Sequence, residues 1–123
     1  MTRNLALCAI LGTVACLPRP DARTALAYAA GTWRTLDEAF SAWSEAKSDG
    51  CIALADSGHV READGCVMML RDAVTRWQLI GAATIAALDT ARRAGAPDAA
   101  LSDSVRAAGA YLHAVGALKA VSP

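Results

Sequence analysis

The chain is 123 residues long, is 54% apolar and sets twelve basic side chains against twelve acidic ones. That length suits one domain, at a size where a hydrophobic core gains from a covalent staple. A balanced charge argues against nucleic acid, which requires a clustered basic face to meet phosphates, so no nucleic-acid partner is expected.

In chain order the first feature is Arg3, followed by an apolar segment from Leu5 to Val14 and small residues before Cys16. A membrane-spanning helix needs roughly 20 apolar residues, and this run is broken after Leu17 by Pro18, Arg19, Pro20 and Asp21. A basic start, a short apolar core and small residues at its end together describe an export signal. The stretch Thr13-Val14-Ala15-Cys16 resembles the lipobox of bacterial lipoprotein signal peptides, over residues 1–17 alone. The resemblance implies that residues 1–15 are removed as a signal peptide and that Cys16 is lipidated, with a diacylglycerol on its sulfur and palmitate as a typical acyl chain. It implies a lipid-anchored protein of the cell envelope, facing the periplasm. Leu17 stands where Asp marks inner-membrane retention in some such proteins, which favours the outer membrane. Residues 16–20 then form the lipidated cysteine and a tether, stiffened by Pro18 and Pro20. An alternative reading keeps the apolar N-terminus on a non-acylated helical assembly subunit.

The remaining cysteines fit the exported reading. With Cys8 leaving in the signal and Cys16 acylated, Cys51 and Cys66 are one even pair in an oxidising compartment, and a disulfide between them is expected.

From residue 21 onward the pattern is helical. Leu26, Ala29, Trp33, Leu36, Phe40 and Trp43 recur in steps of three and four, which predicts a helix over 21–49 capped by Asp21. Lys47 suits its last turn, and Gly50 is expected to supply a left-handed stop. Gly31 costs up to about 1 kcal/mol inside a helix, and invites a break with Thr32 as a new cap. Asp56, Ser57, Gly58, Asp64 and Gly65 predict an irregular stretch between Cys51 and Cys66, apart from one extra turn over 51–55. A disulfide across it would contribute roughly 3 kcal/mol through the unfolded state.

A second helix is predicted over 66–94. Its main stripe runs Cys66, Leu70, Ala73, Trp77, Ile80, Thr84, Leu88 and Ala91, and a second row of Val67, Val74, Gly81 and Ile85 marks it as the central helix. Arg92 and Arg93 suit its C-terminus, and Gly95 and Pro97 end it. A third helix is predicted over 97–120, with Pro97 in its first turn and Leu101, Val105, Ala108, Leu112, Val115 and Leu118 on one stripe. Gly109 and Gly116 are expected to allow close backbone approach. The fold expected is all-α: an antiparallel three-helix bundle making up one domain over 21–123.

Chemistry-bearing residues are sparse. Cys51, His59 and Cys66 with Asp56 or Glu62 have donor types that zinc accepts, but they lack the paired short-range spacing of structural sites, so no metal is expected. His59 and His113 read as solvated or boundary side chains, with no nucleophile or carboxylate at a recognisable spacing, and no catalytic residue is nominated. Glu38 and Glu45 lie seven apart on one helix face, without the Glu-x-x-His pairs of a di-metal bundle. No phosphate loop or haem motif points to a cofactor or a small-molecule substrate. The row Trp33, Phe40 and Trp43 reads as core packing against Trp77 rather than a ligand cleft. What remains is a non-enzymatic binding or structural role, with an envelope protein as partner.

Overall fold

The computed structural model describes residues 21–118. Residues 1–20, with the signal, Cys16 and the tether, and residues 119–123 lie outside the described residues. Three helices follow one another: α1 (Ala22–Asp56), α2 (Val60–Ala94) and α3 (Ala99–Ala114). Asp21 caps α1, its side chain accepting from the Arg23 amide, and Asp98 caps α3, accepting from the Leu101 amide at 2.9 Å. Both satisfy amide hydrogens that a helix start leaves without partners.

The first helix is longer than its pattern predicts. It runs unbroken through Gly31 and through Gly50, which is helical and not a left-handed stop. The extra turn expected over 51–55 is a direct continuation of it, to Asp56. Likewise α2 begins at Val60 and not at Cys66, so only Ser57, Gly58 and His59 separate the two helices. Gly58, with φ of 85°, makes the turn, while the Ser57 hydroxyl donates back to the Ala53 carbonyl. The turn-forming residues at 56–65 are exposed helical positions around a single tight turn. Polar composition had mimicked a loop.

At the other end Gly95, with φ of 77°, ends α2 as expected. Pro97 lies outside α3, one residue before the Asp98 cap, which corrects its assignment to the first helical turn. The third helix stops at Ala114, short of the predicted 120, because Gly116 turns left-handed at φ 79° and returns the chain, the Ala117 amide donating to the Leu112 carbonyl. Ala117 and Leu118 thereby fold back onto the core. Neither Gly109 nor Gly116 has an atom within 4 Å of a Cβ position. The close approach is at Gly81, where the Trp33 ring lies 3.4 Å from the site of a Cβ.

Two apolar clusters hold the three helices. One joins Leu88 and Ala91 of α2 to Leu101 of α3, with Leu26 and Ala29 of α1 against them. The other joins Phe40, Ala73, Trp77, Ala108 and Leu112. Trp33 packs on both. Trp77 is the hub: its ring stacks on Trp33 with centroids 5.1 Å apart, on Phe40 at 4.8 Å and on Tyr111 at 6.3 Å, so one side chain of α2 meets both neighbours. Its indole N–H donates to Asp37 Oδ1 at 2.8 Å, which gives the buried donor the partner it requires.

Because Trp77 is only 5% exposed and stacks on two helices, Trp77→Ala should destabilise the fold by about 3 to 5 kcal/mol. Arg93 forms an exposed pair with Asp89, and Arg93→Ala should cost less than about 1 kcal/mol. Urea unfolding of both variants checks this; equal, small losses would remove Trp77 from the core.

Candidate functional site

The covalent feature of the described chain is the Cys51–Cys66 disulfide, which joins Cα atoms 5.5 Å apart. It links two helices directly: Cys51 is in the penultimate turn of α1 and Cys66 in the second turn of α2. It therefore staples a helical hairpin and does not span an irregular loop. The two cysteines are fifteen positions apart in the sequence. Cys51 is buried at this end of the hairpin, as is Ala63.

The other residues nominated by pattern are dispersed. His59 is exposed in the turn and its Nδ1 lies 3.0 Å from the Ser57 hydroxyl. His113 is exposed in the last turn of α3. Glu38 and Glu45 are both exposed on α1. With both cysteines in the disulfide, the mixed metal set of Cys51, His59 and Cys66 loses its thiolates, and no group of three such ligands occurs among the described residues. The row Trp33, Phe40 and Trp43 packs into the core as expected.

Asp37 is the polar residue whose role sequence reasoning missed. It lies beside the packing stripe, and nothing in its spacing marks it as the acceptor of an indole forty residues away. An acidic residue three before Phe40 and four after Trp33 was the available signal, because that placement borders the apolar face. Thr84, wholly buried, is satisfied by donating to the Ile80 carbonyl at 2.8 Å.

Surface concavities are open furrows between helices. One, of about 620 Å³, runs between α1 and α2 past Trp33, Arg34, Ile85 and Arg92. A second, of about 430 Å³, lies where α3 ends, lined by Trp43, Lys47, Met69 and Tyr111. A third, of about 350 Å³, separates Tyr28 and Thr32 from Leu101 and Val105. Tyr111 is the titratable group whose environment departs most plainly from water: burial pushes its phenol upward from 10.0, the Arg76 guanidinium opposes this, and the Asp72 carboxylate adds to it. Its hydroxyl donates to the Ala73 carbonyl at 3.4 Å. Among the described residues no helix is long and apolar enough to cross a membrane. Comparison with protein-family models, curated proteins and solved structures finds no match.

Two outcomes follow from this geometry. The neutral phenol of Tyr111 is favoured in the folded state, so its contribution to stability is complete below pH 10.0 and declines as pH rises through its raised folded value. Melting curves between pH 9 and 11.5 should accordingly fall less steeply for Tyr111→Phe than for the natural protein; parallel curves would refute the assignment. The second outcome concerns the staple. Replacing both Cys51 and Cys66 by Ser should lower stability by about 3 kcal/mol while leaving helix content unchanged at 25 °C, as circular dichroism and denaturant titration would register.

Proposed function

We propose that the protein is a small lipid-anchored component of a bacterial cell envelope, acylated at Cys16, whose helical domain serves a binding or structural role and performs no catalysis. The observation that carries the reading is the disulfide joining Cys51 to Cys66. Such bonds persist in oxidising compartments and are rare in the cytosol, and an even pair is what remains once Cys8 and Cys16 are assigned to the signal and the lipid. Support from the N-terminus is independent: Arg3, the apolar segment and Thr13-Val14-Ala15-Cys16 have the order of a lipoprotein signal. Placement of the lipid-bearing end in the outer membrane rests on Leu17 at the position after the cysteine.

A binding role agrees with how the side chains are disposed. Both histidines are exposed and lie in different turns of the bundle, and the furrows are open rather than enclosed. Large apolar side chains, in contrast, stand free on the surface, among them Met68, Leu79, Ile85 and Ile52.

Expression in a bacterium with a tritiated fatty acid tests the reading. The natural protein should incorporate label and sediment with membranes, whereas Cys16→Ser should take up none and appear in the soluble fraction. Absence of label from the natural protein, or membrane association that survives Cys16→Ser, would reject the lipoprotein assignment and favour an apolar N-terminus retained in an assembly.

A further inference from the structure

The solvent side of α1 carries a pattern that the bundle itself does not use. Ala27, Gly31, Arg34, Glu38, Ser41, Glu45, Ser48 and Ile52 follow one another in steps of four, three, four, three, four, three and four. That alternation keeps them on one stripe of the helix. All are exposed except Ser48, which is half-buried, and Ile52 is 56% exposed. Arg34 and Glu38 are four apart yet do not pair, and neither they nor Glu45 join any of the ion pairs among the described residues, which are Arg76–Asp72, Arg93–Asp89 and Arg106–Asp103. Gly31 is equally unexplained by the monomer: a Cβ there would meet nothing within 4 Å, although glycine weakens a helix interior by about 1 kcal/mol.

The stripe is complementary to itself when reversed. Laid antiparallel on a second copy about a twofold axis between positions 39 and 40, Ala27 faces the large Ile52, Gly31 faces Ser48, Arg34 faces Glu45 and Glu38 faces Ser41. A twofold contact must satisfy each pairing twice, once in each direction, and this register does so with two Arg–Glu pairs and no like charges opposed. Small residues stand opposite one another at Gly31 and Ser48, where backbones approach, and a small residue receives the one bulky side chain at each end. Beside the stripe runs the α1–α2 furrow, with Arg34 on one wall and Ile85, 58% exposed, on the other. Helix α1, about 52 Å long by its 35 residues, is long enough for the area of about 1,200 Å² or more that a stable dimer buries.

We propose that the protein forms an antiparallel homodimer through this face of α1, with reciprocal Arg34–Glu45 pairs setting the register and Gly31 admitting the partner's backbone. The dimer does not depend on the lipid anchor, so its test and that of the envelope reading are separate.

The test is sedimentation velocity of the full-length protein, in a density-matched detergent, from 1 to 100 µM. A dimer is expected for the natural chain. Arg34→Glu and Glu45→Arg, each alone, should weaken it by about tenfold or more, because each sets two like-charge pairs across the interface, and the double reversal should restore it to within about threefold. Both side chains are exposed, so melting temperatures serve as the control for folding. Gly31→Leu adds a sharper contrast: it should raise the stability of the monomer, where a Cβ at this exposed position meets nothing within 4 Å, while abolishing the dimer. A monomer at every concentration, a dimer indifferent to the single reversals, a double reversal that fails to restore it, or a Gly31→Leu dimer as tight as the natural one would each overturn the proposal.

Discussion

Burial of the Trp77 indole between Trp33 and Phe40 is the constraint on which the rest of the bundle depends. A tryptophan is too large to be enclosed by one neighbouring helix, so α1 contributes two rings that stack on it, and α3 reaches it through Tyr111. The ring also carries a donor that cannot be left unpaired once water is excluded, which fixes Asp37 of α1 at 2.8 Å from it. Stacking alone would tolerate a slide of one helix along the other; the hydrogen bond does not. Together they set the register of α1 against α2, and the Trp33 edge over Gly81 and the Cys51–Cys66 bond are consistent with the register so defined.

That register explains why the staple sits where it does. The aromatic cluster holds the middle of the hairpin, and Leu88, Ala91 and Leu101 hold one end. The opposite end extends past α3, whose 16 residues match less than half of the 35 in each of α1 and α2. Two helices without a third bury little apolar surface, and Ile52 and Val60 are indeed exposed there. A covalent link supplies order where packing is thin, by limiting the conformations open to the unfolded chain. The bond is thus a substitute for a missing helix and not a clamp on a loop.

The surface divides along the same lines. On α2, Arg76 and Arg93 pair with acids one turn earlier, so those charges are consumed locally. On α1 the charges at 34, 38 and 45 are not consumed, and the glycine among them has no packing role within the monomer. It is the order of these charges, complementary to its own reverse, that sets the proposed α1 face apart from the scattered exposed apolar residues on α2.

Much of the architecture was legible from residue order. The three-four spacing of Leu26 to Trp43 and of Leu70 to Ala91 is a local property of helices and needs no knowledge of neighbours, so the all-α class, the main core stripes, the Asp21 cap and the Gly95 stop could be read directly, whereas Val67 and Ile85 of the second α2 row are exposed rather than packed. The pairing of Cys51 with Cys66 rested on counting cysteines. Boundaries were less legible, because the signals that mark turns are compositional and the same residues occur on exposed helix faces: Asp56 to Gly65 read as a loop and Gly50 as a stop, whereas the helices run through Gly50 and leave only Ser57, Gly58 and His59 between them. Only the tertiary structure decided that Asp37 serves Trp77 and that Gly81 and not Gly109 admits a ring, since each depends on which atoms arrive from another part of the chain. Periodicity along one helix determines which face is apolar; what that face meets is settled by the register between helices, and register is not a local quantity.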